Sequence, residues 1–186
     1  MSGSSHGGPD GDAPDAAVLR GATPYELWQD SQETSQRLAE AYGRILDAGT
    51  PEACLTGAAA FLRLARRYLA LRLSAVAADR RLAFGQQVPP AGVAVAALWA
   101  EVFWAARAGS PEDDSGVLEE ADASVRGLLV LSPADLADVG TVTAWWERLQ
   151  RVEETLGGLE MAAQVALEVR RERYEHELGI RQLGTP

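Results

Sequence analysis

The chain has 186 residues, with 27 acids against 17 bases and a formal net charge of -10; its length suits one domain with a real core, and its acidity repels phosphate backbones, which disfavours a general nucleic-acid binder unless a local basic patch overrides it. Every one of the 17 basic residues is arginine, so Schiff-base chemistry on lysine and the lysine of a phosphate loop are both excluded. Cys54 is the single cysteine, which excludes an intrachain disulfide and makes a reducing compartment the expectation.

Residues 1–21 are dominated by Gly, Ser, Asp, Pro and Ala. Such a composition buries too little apolar area to offset its ordering entropy, and a disordered tail is expected there, ahead of one helical domain over 22–186. No basic region followed by an apolar run opens the chain, so a cytoplasmic location without a signal peptide is expected. The first helix is announced by "TPYE", with Thr23 as N-cap, Pro24 at the first helical position and Glu26 closing a capping box. Trp28, Ser35, Leu38, Tyr42, Ile45 and Leu46 then share one face. Gly49 ends this helix and "TPEA" starts the next at Thr50, giving a helical hairpin with a short loop.

The second helix is expected to run to about Ala83, before Gly85 and the pair Pro89–Pro90. The third, "AGVAVAALWAEVFWAARAG", is apolar nearly all round and so belongs in the core. At ~1.5 Å per residue it falls short of a ~30 Å bilayer, and Glu101 sits near its middle, so no transmembrane segment is expected. A loop at "SPEDDSG", a helix from about Val117 to Leu131 and a short one capped at Ser132 follow. The last helix is the longest: Val142, Trp145, Leu149, Val152, Leu156, Leu159, Ala163, Leu167, Tyr174 and Leu178 form a coiled-coil-like seam, with a bend expected at Gly157–Gly158. The fold class is all-α, an antiparallel helical bundle with a long C-terminal helix. That seam also makes a homo-oligomer one reading, and packing inside the monomer the other.

The second helix holds the candidate site residues. Arg63, Arg66, Arg67 and Arg81 occupy about a third of its circumference. They read either as a docking strip for an anionic partner or as a solvated face balanced by acids elsewhere. Arg72 and Asp79 lie instead on the apolar face, where an unpaired charge costs several kcal/mol, so both need partners. One reading is a polar pocket formed by Arg72, Asp79 and Glu101; the other is registry-setting ion pairs, with Glu101 as the partner of Arg72. Trp145 and Trp146 stand ~100° apart on their helix, so Trp146 is a candidate contact to a partner unless a wide core stripe takes both indoles.

Nothing in the sequence has the spacing of a catalytic nucleophile motif, a phosphate loop or a zinc site, and no metal or cofactor is expected. Cys54 reads as a core residue, His176 as solvent-facing, and Glu112, Asp113 and Asp114 as a solvated loop.

The stretch "PYELWQDSQETSQRLAEAYGRIL", with the arginine helix behind it, resembles phasins and the accessory subunit of class III polyhydroxyalkanoate synthases. That resemblance covers about the first half of the chain and implies a helical, non-enzymatic protein that coats a polyester granule or assists a partner enzyme. "LGIRQL", Leu178 to Leu183, is similar to the C-terminal peptides that load cargo into encapsulin nanocompartments, with Arg181 and Gln182 in place of their Gly-Ser pair; a helix C-cap at Gly179 accounts for the same residues. The expected role is therefore a non-enzymatic interaction or scaffold protein that contacts a partner protein or a granule surface. A ligand-binding bundle and a nanocompartment cargo are the alternatives.

Overall fold

A computed structural model describes residues 22–84, 95–109 and 115–183. Within them the chain forms five α-helices: α1 (Pro24–Leu46), α2 (Pro51–Phe84), α3 (Val95–Gly109), α4 (Ser115–Val130) and α5 (Val139–Leu183), with a 3-10 turn over Pro133–Leu136 before α5. The described residues are all-α, as expected. The tail over 1–21, the breaks at Gly85 and Pro89–Pro90, and the acidic loop at Glu112, Asp113 and Asp114 lie outside them.

Local chemistry starts the helices where the sequence says it should. The Thr23 amide donates to Glu26 Oε2 at 2.7 Å while the Glu26 amide donates to Thr23 Oγ1 at 3.2 Å, which closes the capping box. Thr50 Oγ1 accepts the Ala53 amide at the start of α2. The Ser132 amide donates to Asp135 across the 3-10 turn, and Asp138 accepts the Thr141 amide at the start of α5.

α2 is the central helix. α1 packs along it from one side, α5 from another, and α3, α4 and the 3-10 turn each reach it. Its middle is buried nearly all round, from Phe61 and Ala65 through Leu69, Leu73 and Val76. A helix flanked by neighbours on most sides has little room for a wide polar face, and Arg66, Arg72 and Arg81 are drawn into contacts within the bundle.

The buried face of α1 is shifted from the expected one: Leu38 and Ile45 are buried on it as expected, and Tyr42 packs against the core. Trp28 and Leu46 are exposed, and the face on α2 runs through Leu27, Ser31, Thr34, Leu38, Ala41 and Ile45. Ser31 and Thr34 enter it because each hydroxyl donates to a carbonyl of its own helix, Trp28 O at 2.6 Å and Asp30 O at 2.8 Å, so neither carries an unmet hydrogen bond into the core. α5 also departs from expectation: it passes through Gly157–Gly158 and Gly179 as one helix of 45 residues. Gly179 is not a cap, and "LGIRQL" forms the last turns of the helix.

Candidate functional site

Arg72 lies 2% exposed on the face of α2 that meets α5. Its partners are two glutamates of α5: the guanidinium contacts Glu153 at 2.7 Å and Glu160 at 3.0 Å, and Nε donates to Glu153 at 2.9 Å. Glu101 is not its partner. That carboxylate takes a bidentate pair from Arg81, 2.9 Å from Nε and 2.7 Å from Nη2, and ties α3 to α2. The expected grouping of Arg72, Asp79 and Glu101 in one pocket is thus replaced by two ion-pair clusters on different neighbours of α2.

Three carboxylates share the neighbourhood of Arg72. Burial, and then the charge of Glu160, push the Asp79 carboxyl above its ordinary value, against the pull of Arg72. Burial works to lower the basicity of Arg72, but its hydrogen bonds to Glu153 and Glu160 outweigh that and hold it fully charged. Burial first, and Glu153 second, raise the Tyr68 hydroxyl far above its usual range. The sign of a stability effect follows for Asp79. A carboxyl whose pKa is raised by folding destabilises the fold when ionised, and this penalty disappears as the pH falls through the folded value to the unfolded one. Asp79→Asn therefore raises the melting temperature at pH 7, and the advantage over wild type shrinks toward pH 4, as calorimetry across that range will register.

The remaining arginines of the expected strip divide. Arg66 Nη2 donates to the carbonyls of Leu128, Leu129 and Leu131, at 3.2, 3.1 and 2.7 Å. Leu128 and Leu129 lie in the last turn of α4 and Leu131 just beyond it, where a helix leaves carbonyls without internal partners and carries partial negative charge. Arg170 does the same for α2 from α5, its Nη1 donating to Leu82 O and Ala83 O. Arg66 and Arg81 are therefore engaged inside the bundle, while Arg63 and Arg67 are exposed.

The adjacent indoles serve two interfaces. Trp146 stacks on Tyr42 of α1, with ring centroids 4.9 Å apart and planes within 5°, and touches Phe61 of α2. Trp145 turns toward α4, where a Cβ on Gly127 would stand 2.6 Å from its ring, so only glycine admits the indole there. Its face carries the Arg148 guanidinium at 4.8 Å. Cys54 is buried with its thiol donating to Ala137 O, and His176 is exposed on α5. Among the described residues no group of His, Cys, Asp or Glu is arranged to hold a metal ion, and no helix is long and apolar enough to cross a membrane.

A concavity lies away from all of these, between α4 and α5. It is a half-open groove of about 530 Å³. Leu118, Ala121, Val152 and Leu159 give it an apolar floor, and the Glu120–Arg151 ion pair at 2.9 Å stands at its rim. Gly158 and Ala162 keep the α5 wall low, and a Cβ at Gly158 would meet nothing within 4 Å. Beyond the groove the same side of α5 continues apolar: Met161, Val165 and Val169 recur every four residues and are exposed. One edge of this track is acidic, with Glu154, Glu168 and Glu172 on neighbouring helical positions.

The sequence reading missed this surface. Its signal was the four-residue spacing of Met161, Val165 and Val169 on a face other than the seam, together with a glycine that reads as a helix interruption.

No family model matches the sequence, and comparisons with curated proteins and with solved structures give no match either.

Proposed function

We propose that this protein is a non-enzymatic interaction module that receives an amphipathic helix of a partner protein in the groove between α4 and α5. The observation that carries this reading is the continuous apolar track from the groove floor to Val169. Partly exposed apolar grooves flanked by polar residues accept helices through anchors at i, i+3, i+4 and i+7. The acidic edge formed by Glu154, Glu168 and Glu172 selects a partner helix with arginines or lysines along one side, an attraction that speeds encounter and weakens with salt.

Gly158 supplies the test. A leucine there projects into empty groove volume and also favours the helix, since glycine costs ~1 kcal/mol relative to a good helix former. Gly158→Leu thus blocks the surface without harming the fold. A photo-crosslinking residue at Val165, set against one at exposed Arg37 on α1, is used in an extract of the native host. The crosslinked protein's amphipathic segment is then synthesised and titrated by fluorescence anisotropy. The expected result is one discrete adduct from Val165 and none from Arg37, with Gly158→Leu weakening the peptide at least about tenfold at an unchanged or higher melting temperature. Equal labelling at both positions, or binding indifferent to Gly158→Leu, contradicts the reading. The groove volume also lies within the range of small-molecule sites, about 300–1,000 Å³. An apolar small molecule that copurifies and is displaced by Gly158→Leu, in place of a protein adduct, assigns the groove to a ligand.

A further inference from the structure

The buried seam of α5 outruns the bundle. Val142, Leu149, Val152, Leu156 and Ala163 are covered, Leu167 is half-buried, and on the same line Tyr174 and Leu178 stand 63% and 40% exposed. We infer that this end of α5 pairs antiparallel with the same stretch of a second copy of the chain, about a twofold axis close to residue 173. This face lies roughly half a helical turn from Val165 and Val169, so the inference does not depend on the partner proposed for the groove.

Three observations converge on a second copy as the occupant. The first is polarity along the helix. Arg170, Arg171 and Arg173 precede Tyr174 with Glu172 among them, and Glu175 and Glu177 follow it, Glu168 and Arg181 standing further out. An antiparallel copy sets this arginine-bearing stretch of each helix beside the glutamate-bearing stretch of the other, twice by symmetry. The second is register. Antiparallel pairing joins residues on the same flank with a fixed midpoint. Arg171 with Glu175 on one flank and Leu167 with Leu178 on the seam have midpoints between 172 and 174, so one axis serves both and brings the two Tyr174 rings together.

The third is net charge. Residues 164–183 hold four glutamates and four arginines in a chain of net charge -10, so two strongly acidic molecules can meet there without opposing like charge. Within one chain Arg171 reaches Glu175 only at 3.8 Å with both side chains about two-thirds exposed, a pair worth little by itself and readily exchanged for one across the axis. Leu82 and Phe84 are also exposed, at the end of α2 whose carbonyls Arg170 holds, and they extend the apolar surface offered to the second helix.

Sedimentation equilibrium of the full chain over a wide concentration range tests the pairing. Wild type is expected to pass reversibly from 19.8 kDa to twice that mass. Arg171→Glu and Glu175→Arg each set like charges across the axis, and each is expected to weaken self-association at least about tenfold. An equimolar mixture of the two variants forms complementary pairs only between unlike chains and is expected to regain wild-type association; the double variant regains it as well. The mixture is decisive because it restores no pair within either chain. Tyr174→Glu, at an exposed position, abolishes association while leaving circular dichroism unchanged. A wild-type chain that stays at 19.8 kDa at the highest concentration overturns the inference. So does a dimer indifferent to the single charge reversals, or one that the mixture does not restore.

Discussion

Replacing Arg72 by methionine destabilises the bundle by about 3 kcal/mol, at the lower end of the range for losing one member of a buried ion cluster. The arginine is 2% exposed, pairs with Glu153 and Glu160, and offsets the charge of the nearby Asp79. Methionine fills much of its volume but leaves Glu153 and Glu160 facing an apolar wall with no counter-ion. Both glutamates keep some contact with solvent, which moderates the cost. Adding Glu153→Leu and Glu160→Met to the same chain removes the stranded charges, and most of the loss is recovered because an apolar replacement of a whole buried cluster is commonly neutral or better. Urea titration reads both results as shifts of midpoint at constant slope. A loss below ~1 kcal/mol for the single variant would mean that Arg72 is not the group that neutralises this site.

Trp146→Ala costs a comparable amount, about 3 kcal/mol, the low end for truncating a large aromatic in a core. The indole is half-buried, yet it joins three helices: it stacks on Tyr42 of α1 and meets Phe61 of α2, and it belongs to α5. Parallel stacking at 4.9 Å adds roughly 0.5–1.5 kcal/mol to the burial term. The Tyr42 hydroxyl, 3.1 Å from Thr143 Oγ1, loses the ring that holds it in place. Trp146→Phe keeps part of the contact and is expected to cost less than half as much. Thermal unfolding that places Trp146→Ala within ~1 kcal/mol of wild type would return Trp146 to the surface and to the partner-binding role suggested by its adjacency to Trp145.

The helical punctuation was legible in the sequence because it is local. Thr23 with Glu26, Thr50 and Ser132 with Asp135 act over three residues, and no distant contact is needed to place them. The need of Arg72 for a partner was legible for the same reason, since position on an apolar face is a property of one helix. Which acid answers it was not. Glu101, Glu153 and Glu160 all lie on helices that pack against α2, and the choice depends on the level at which α3 and α5 cross it.

The Arg66 clamp was hidden because its acceptors are backbone carbonyls, which every residue has. The face of α1 was legible at Leu38 and Ile45 but not at its edges, because Ser31 and Thr34 look polar and yet bond to their own helix, leaving Trp28 and Leu46 to solvent. The adjacent tryptophans were correctly seen to diverge, but the sequence does not say that α4 offers Gly127 to one while α1 offers Tyr42 to the other. The groove lay furthest from view: it is formed between two helices, with Gly158 and Ala162 keeping the wall of α5 low.

The most direct test of the interaction role is density-gradient fractionation of native-host extract, with wild type and Gly158→Leu followed by antibody in parallel. Wild type is expected to travel in a fraction heavier than the purified chain, and Gly158→Leu to fall back to the position of the purified chain at matched concentration, with undiminished stability. Co-migration of the two proteins at the purified chain's position, or in the same heavier fraction, would contradict the assignment of the α4–α5 groove as the docking surface.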